Sequence, residues 1–314
     1  MTISSFLQLV EIRTKVASVI PYLLGTFYTL YTFDTFRPKN ALLMFLSMII
    51  FDMTTTAINN YIDYTKAIKK DGYGYEVHNA ITLHGLNIKM VRYLIYTMLF
   101  ISASLGILLA LNTNIIVFLL GVLCFAIGIL YTFGPLPISR TPFGEVFSGI
   151  TMGLILPFIS IYIHIFDQNT IDLSLTKNNF LMFLDIRMLL GIGITCIPLI
   201  TCIANIMLAN NICDMEEDFP NKRFTLPIYI GKEKALILWE CLYYLAYISI
   251  VVGVILKILP LISVCTLLTL IPVLKNIQAF EAKQFKGETF IYSVKNFIIL
   301  NMVYILTIIL ALFF

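Results

Sequence analysis

Long apolar stretches recur along the chain and are separated by short polar segments. A helix that spans the hydrocarbon core of a bilayer needs about 20 mostly apolar residues. The pattern predicts nine spanning helices, at 16–33, 41–62, 91–112, 115–132, 143–164, 188–212, 235–256, 258–275 and 293–314. It therefore indicates an all-α, polytopic membrane protein.

Composition agrees with this interpretation and excludes several other classes. Hydrophobic residues make up 59% of the 314 residues and charged residues only 12%, about half the share that is usual in a soluble domain. The net charge of +3 is too small to indicate a nucleic-acid partner. None of the six cysteines forms a CxxC pair, so neither a disulfide framework nor a zinc site is predicted.

The distribution of Lys and Arg predicts the orientation of the chain. With the N-terminus in the cytoplasm, sixteen of the 21 basic residues fall on the cytoplasmic side, where membrane proteins concentrate them. The five on the outer side are Arg37, Lys39, Lys177, Arg187 and Lys257. We therefore predict a multi-pass protein of the cytoplasmic (inner) membrane, with its C-terminus outside.

Two long cytoplasmic loops, about 63–90 and 213–234, follow the second and sixth spans. Their spacing predicts a single domain, 1–314, built from a four-helix unit used twice (13–141 and 142–275) plus an extra helix (293–314). A central cavity is expected to open on the cytoplasmic side. The outer connection at 165–187 is predicted to be a solvated loop.

The second span ends in a polar face. Asp52, Thr56, Asn59 and Asp63 recur at steps of three and four, so they lie on one side of a helix. Polar side chains are costly in hydrocarbon, and this face should therefore turn toward the bundle interior or a wet cavity.

The sixth span ends in a matching pattern. Asn60-x-x-Asp63 in the second span corresponds to Asn211-x-x-Asp214-x-x-x-Asp218 in the sixth. Carboxylate and amide oxygens are the hard ligands that suit Mg²⁺, which binds substrate phosphates through one or two carboxylates. Taken singly, each motif could be a capped helix end; two matched motifs favour a Mg²⁺–diphosphate site.

Basic residues follow both motifs and could bind the remaining phosphate charge. They are Lys66, Lys69 and Lys70 after the first motif and Lys222 and Arg223 after the second. A secondary transporter is the alternative, because it too would have repeats and intramembrane acids. Transporters place substrate sites near the midplane, whereas these acids gather at helix ends, which favours an enzyme.

Three stretches carry a resemblance to a known family: Asn59-Asn60-x-x-Asp63, the segment from Gly134 to Val146, and the segment from Leu208 to Asp218 with Arg223-x-Thr225-Leu226. They resemble the UbiA superfamily of intramembrane prenyltransferases, most closely the 1,4-dihydroxy-2-naphthoate branch of menaquinone biosynthesis. A UbiA-type prenyltransferase that makes another quinone precursor is the alternative within the family. By resemblance, the segment from Gly134 to Val146 argues against enzymes that act on hydroxybenzoate, haem or chlorophyll precursors.

The resemblance implies a Mg²⁺-dependent transfer of a polyprenyl group from its diphosphate to an aromatic acid, with loss of CO₂ in the naphthoate branch. The implied catalytic residues are Asp63, Asp214 and Asp218. The implied metal ligands are Asn60, Asp63, Asn211, Asp214, Asp218 and Asp71. The implied substrate-binding residues are Asn59, Lys66, Asn210, Lys222, Arg223, Asp52 and Arg140.

Some positions depart from the family pattern. The family usually has an acid at Asn60 and a further acid soon after Asp63, for which Asp71 is the candidate here. Asp52 stands where the branch commonly has Gln; it either orients the aromatic acceptor or is a protonated, hydrogen-bonded structural acid, and both interpretations stay open. Glu145 opens the fifth span, where an acid is favoured by the helix dipole alone, and we interpret it as a structural residue.

Overall fold

The computed structural model describes residues 1–66, 79–168, 170–175 and 180–314. Its helices are α1 (Ile3–Leu9), α2 (Val16–Phe33), α3 (Pro38–Lys66), α4 (Ala80–Leu83), α5 (Ile88–Leu111), α6 (Ile115–Thr132), α7 (Gly144–Ile150), α8 (Leu156–Ile165), α9 (Ile186–Cys213), α10 (Met215–Asp218), α11 (Leu226–Ile230), α12 (Lys232–Ile255), α13 (Leu270–Ala282) and α14 (Ile291–Leu310). Short 3₁₀ segments lie at Ile12–Lys15, Ile138–Arg140 and Leu261–Thr269, and a π-helical segment, Thr151–Ile155, joins α7 to α8.

The predicted spans are confirmed. Within the described ranges, nine helical segments are long and apolar enough to cross a membrane: Ile12–Phe33, Pro38–Thr65, Ile88–Leu111, Ile115–Thr132, Gly144–Ile165, Ile186–Cys213, Lys232–Ile255, Leu261–Ala282 and Ile291–Leu310. The largest difference is at the end of the eighth span, which continues to Ala282 instead of ending at 275. It continues because Ile277 and Phe280 keep an apolar, buried face beyond the predicted boundary.

The connection at 165–187 contains two paired strands, where a loop was predicted. Strands β1 (Ile171–Leu175) and β2 (Phe180–Leu184) pair antiparallel, with Ile171 opposite Leu184 and Leu175 opposite Phe180. Both stretches are too short to span a membrane, and pairing them satisfies their backbone donors and acceptors.

The contacts divide the chain into two compact units. The first consists of residues 1–19 and 42–137, and the second of residues 20–41 and 138–314. The four-helix repeat remains a prediction. In the first unit, an apolar cluster packs α1 and α4 against α3 and α5; its buried members are Leu9, Ala57, Ala80, Ile81, Val91 and Ile95.

Asparagine side chains fix where three helices of the first unit begin. Asn79, Asn87 and Asn114 each accept hydrogen bonds from backbone N–H groups in the first turn of α4, α5 and α6, respectively. Those N–H groups have no partner within the helix, so the caps stabilise the helix starts.

Helix α9 lies at the centre of the second unit, where it contacts α7, α12 and α14. Gly149 and Gly153, four residues apart, face α9. A Cβ atom at Gly153 would lie 2.5 Å from the backbone N and Cα of Ile200, and one at Gly149 would lie 2.8 Å from the Ile200 carbonyl oxygen. Small residues at this spacing let two membrane helices approach at their backbones.

Candidate active site

Asp214 and Asp218 lie where the sixth span ends and the short helix α10 follows. The Asp218 N–H donates to the Asp214 carbonyl oxygen at 2.8 Å, which continues the helical turn. The side chains of Asp214 and Asp218 are only 9% and 3% exposed. Two carboxylates one helical turn apart are therefore held out of water, where each needs a counter-charge.

Each of these carboxylates has a basic partner. Lys286 forms an ion pair with Asp214. The Nε of Arg223 lies 3.2 Å from Oδ1 of Asp218, and the Thr225 hydroxyl donates to Oδ2 at 3.5 Å. Burial raises the pKa of the Asp218 carboxyl above its ordinary value, and the Arg223 charge partly offsets that rise.

The segment from Gly134 to Val146 reaches the second motif at two points. The Phe224 N–H donates to the Arg140 carbonyl oxygen at 3.1 Å, which places Arg140 beside the loop that carries Arg223. Asn211 donates from Nδ2 to Oε1 of Glu145 at 2.8 Å. Both side chains are buried, and Glu145 Oε2 and Asn211 Oδ1 have no hydrogen-bond partner among the described residues. Glu145 thus does more than open a helix, because it joins α7 to α9.

The first motif divides into an exposed and a buried part. Asn59 and Asp63 are exposed, whereas Asn60 is 5% exposed. Asn60 Nδ2 lies 3.3 Å from the Leu9 carbonyl oxygen, the Thr56 carbonyl oxygen and Oε1 of Glu11. Its Oδ1 accepts from the Ala80 N–H at 3.4 Å. Both ends of the Asn60 amide are therefore engaged in holding α1 and α4 against α3, and its role as a metal ligand stays a prediction.

Asp52 belongs to a buried polar cluster in the first unit. Lys15 Nζ lies 2.8 Å from Asp52 Oδ1 and 2.6 Å from the Thr56 hydroxyl, and the Ser18 hydroxyl donates to Asp52 Oδ2 at 2.6 Å. Lys15 is 4% exposed. In the sequence, Lys15 is one of the sixteen basic residues that predict the orientation of the chain. In the structure, its ammonium neutralises Asp52.

The remaining predicted residues are placed as follows. Asn210 is half-buried at the end of α9, and Lys222 is exposed in the loop after α10 with a positive φ of 55°. Lys66 is the last residue of α3. Asp71, together with Lys69 and Lys70, lies outside the described residues.

The second motif suits Mg²⁺ by the chemistry of its donors. Asp214 and Asp218 offer carboxylates, and Oδ1 of Asn211, one turn earlier, is an amide oxygen without a partner among the described residues. Mg²⁺ keeps several waters and needs only one or two carboxylates besides substrate phosphates. Within the described part of the chain, no group of three or more His, Cys, Asp or Glu side chains is assembled to hold a metal.

Among the described residues, nine helices are long and apolar enough to cross a membrane, and the two buried acids at the end of the sixth are each paired with a base. The fold is therefore that of a multi-pass membrane protein. The family model described as the UbiA prenyltransferase family matches residues 18–294. The chain belongs to the UbiA prenyltransferase family.

Comparisons with individual proteins agree with this assignment. The chain is 32% identical over 248 residues to the 1,4-dihydroxy-2-naphthoate octaprenyltransferase of Bacillus subtilis (strain 168), covering 78% of this chain and 71% of that protein. A UbiA homologue from Archaeoglobus fulgidus, solved bound to GPP and Mg²⁺, matches with a TM-score of 0.65 and 14% identity over 99% of this chain and 100% of that one. The apo UbiA homologue from Aeropyrum pernix K1 gives a TM-score of 0.66 and 17% identity over 96% and 97%. The two solved structures show the shared fold.

The Lys15–Asp52 pair yields a testable prediction. We expect Lys15→Met to cost about 3 kcal/mol of stability, because it leaves a mostly buried carboxylate unpaired. The double variant Lys15→Met/Asp52→Asn should recover much of that loss, since no buried charge remains. Thermal unfolding of the single and double variants in detergent measures the coupling. Additive effects of the two substitutions would contradict the assigned ion pair.

Proposed function

We propose that this protein transfers a polyprenyl group from a polyprenyl diphosphate to 1,4-dihydroxy-2-naphthoate, with loss of CO₂, to give a demethylmenaquinol. The observation that carries the proposal is the pair of buried carboxylates, Asp214 and Asp218, each beside a base in a prenyltransferase fold. The choice of acceptor is supported by the 32% identical relative, whose name specifies that acceptor.

We assign the residues of the chain as follows. Asp214, Asp218 and Asn211 in the second motif, and Asp63, Asn60 and Asp71 in the first, are proposed ligands of Mg²⁺. Lys66, Lys222, Arg223, Asn59 and Asn210 are proposed to bind the prenyl diphosphate, and Asp52 and Arg140 the aromatic acceptor.

Bound Mg²⁺ would stabilise the negative charge that develops on the departing diphosphate. Arg223 adds a guanidinium, which can donate two parallel hydrogen bonds to phosphate oxygens. As the carbon–oxygen bond of the donor breaks, the allylic carbon becomes cationic and an electron-rich ring carbon of the acceptor attacks it. The ring then loses its carboxylate as CO₂. The apolar spans shelter the cation from water.

Removing the metal tests the proposal. Purified protein in detergent should transfer prenyl groups in the presence of Mg²⁺ and lose that activity in excess EDTA, and added Mg²⁺ should restore it. The acids assigned to the site are oxygen ligands for Mg²⁺, and each assigned base carries only a single positive charge. Without Mg²⁺, no divalent cation would stabilise the departing diphosphate. Full transfer in excess EDTA would contradict the assigned role of the acids.

We further propose that the N-terminus and both motifs face the cytoplasm, in the inner membrane. This follows from the excess of Lys and Arg on that side. A reporter fused after Phe314 should be outside, and one inserted between 66 and 88 should be inside. The reverse result would overturn the orientation.

A further inference from the structure

A basic residue outside both motifs contacts the second one. Lys286 lies in the connection between α13 and α14 and forms an ion pair with Asp214. The Asp214 side chain is 9% exposed, whereas the Lys286 side chain is 54% exposed. The acid is therefore fixed in the protein, and the ammonium that neutralises it reaches in from the surface.

The connection that carries Lys286 is a compact turn. The Phe285 carbonyl oxygen accepts from the N–H groups of Glu288 at 3.1 Å and Thr289 at 2.8 Å, and the Phe285 N–H donates to the Thr289 hydroxyl at 2.8 Å. These bonds close the chain around residues 285–289. These bonds hold the backbone at Lys286, while its long side chain is more than half exposed.

The charges of the two buried acids in the second motif are balanced by two bases in the absence of a metal. Asp214 and Asp218 carry two negative charges, and Lys286 and Arg223 carry two positive ones. A divalent cation bound to the two acids would displace the bases from them. A diphosphate arriving with that cation would offer new anionic oxygens to the displaced bases, and charge-assisted hydrogen bonds to phosphate are strong.

We propose that Lys286 is a diphosphate-binding residue that neutralises Asp214 before the metal arrives and binds a phosphate oxygen of the prenyl donor afterwards. This inference rests on the proposed function. It predicts two opposite effects of removing the ammonium. Metal binding without substrate should strengthen, because a competing cation is lost from Asp214. Diphosphate binding at saturating metal should weaken, because a phosphate contact is lost.

Binding measurements on Lys286→Gln test both effects. Mn²⁺ replaces Mg²⁺ so that binding is followed by electron paramagnetic resonance, and a non-reactive prenyl thiolodiphosphate replaces the donor. We expect tighter Mn²⁺ binding, and at least about tenfold weaker binding of the thiolodiphosphate at saturating Mn²⁺, the scale of one hydrogen bond to a charged group.

Lys283→Gln is the matched control. Lys283 lies in the same connection, is 58% exposed and pairs with Glu288 at 2.5 Å, so both constants should stay unchanged. A purely structural Lys286 would lower the Tm and leave both constants at wild-type values, which would overturn the inference.

Chemical labelling of the wild-type protein gives a second test that does not depend on the folding of a variant. Amine acetylation, followed by mass spectrometry, compares the reactivity of Lys286 with that of Lys283. Mn²⁺ alone should increase the labelling of Lys286, and Mn²⁺ with the thiolodiphosphate should protect it. If the protein binds the thiolodiphosphate and Lys286 is not protected, the inference is wrong and the proposed function stands. If the protein does not bind the thiolodiphosphate at all, the proposed function fails with it.

Discussion

Asp218→Asn is expected to reduce the turnover of prenyl transfer by at least about a hundredfold, the scale of losing one electrostatic contributor at a site where charge develops. The substitution keeps the size of the side chain, and the amide oxygen of Asn can still accept the bond that the Thr225 hydroxyl gives to Asp218. It removes the negative charge that would bind Mg²⁺ and leaves Arg223 without its partner. Asp214→Asn should have an effect of the same size.

The control is Glu217→Gln, which changes an exposed acid in the same short helix, α10. Its turnover should remain close to that of the wild type. All variants should accumulate in the membrane and unfold at similar temperatures, because a loss of folding would otherwise imitate a loss of catalysis. Turnover of Asp218→Asn that matches Glu217→Gln would show that the second motif is only a helix end.

Gly153→Leu is expected to prevent the fifth and sixth spans from packing. Even a Cβ atom at Gly153 would lie 2.5 Å from backbone atoms of Ile200, and backbone cannot move aside as a flexible side chain can. Overpacking of a well-packed core costs about 1–3 kcal/mol and occasionally more. We expect the upper end of that range, since α9 contacts three other helices of the second unit. The protein should accumulate poorly and unfold at a lower temperature in detergent.

Gly193→Leu is the matched control, because Gly193 lies in α9 itself and a Cβ atom there would meet nothing within 4 Å. Leu is also a better helix former than Gly. Its yield and Tm should therefore equal or exceed those of the wild type. Equal behaviour of the two variants would contradict the close approach of the helices at Gly153.

The spans could be predicted from the sequence because they depend on a simple quantity. Each needs about 20 mostly apolar residues in succession, and such stretches can be read directly from the sequence. The paired strands at 171–175 and 180–184 were not predicted, because each is only five residues long and its apolar pattern is weak beside the longer stretches.

The proximity of Asp214 and Asp218 could also be predicted, since the two acids stand four residues apart in the sequence and lie one turn apart in the structure. Their basic partners could be predicted only in part. Arg223 lies five residues from Asp218, whereas Lys286 lies 72 residues from Asp214 and is brought to it by tertiary structure. The ion pair between Lys15 and Asp52 could not be predicted for the same reason, because the two residues are separated by 37 residues.

Asn60 shows how tertiary contacts can explain a departure from a family pattern. From the sequence, Asn60 was a neutral residue in the place of a metal-binding acid. In the structure its Nδ2 faces two carbonyl oxygens and Oε1 of Glu11, all at 3.3 Å. An ionised carboxylate has no proton to donate and would repel Glu11. The contact with Glu11 therefore accounts for an amide at this position.

The identity of the reaction product tests the central claim most directly. Purified protein would be incubated with Mg²⁺, a polyprenyl diphosphate and 1,4-dihydroxy-2-naphthoate, and the products identified by mass spectrometry. We expect a single new species that contains the prenyl chain and the naphthalene ring and lacks the carboxylate, and we expect it to be absent with Asp218→Asn. If the wild-type protein leaves the naphthoate unchanged while it prenylates a different aromatic acid, the proposed acceptor is wrong. If it prenylates none of the aromatic acids under conditions in which it binds the polyprenyl diphosphate, the proposed reaction is wrong.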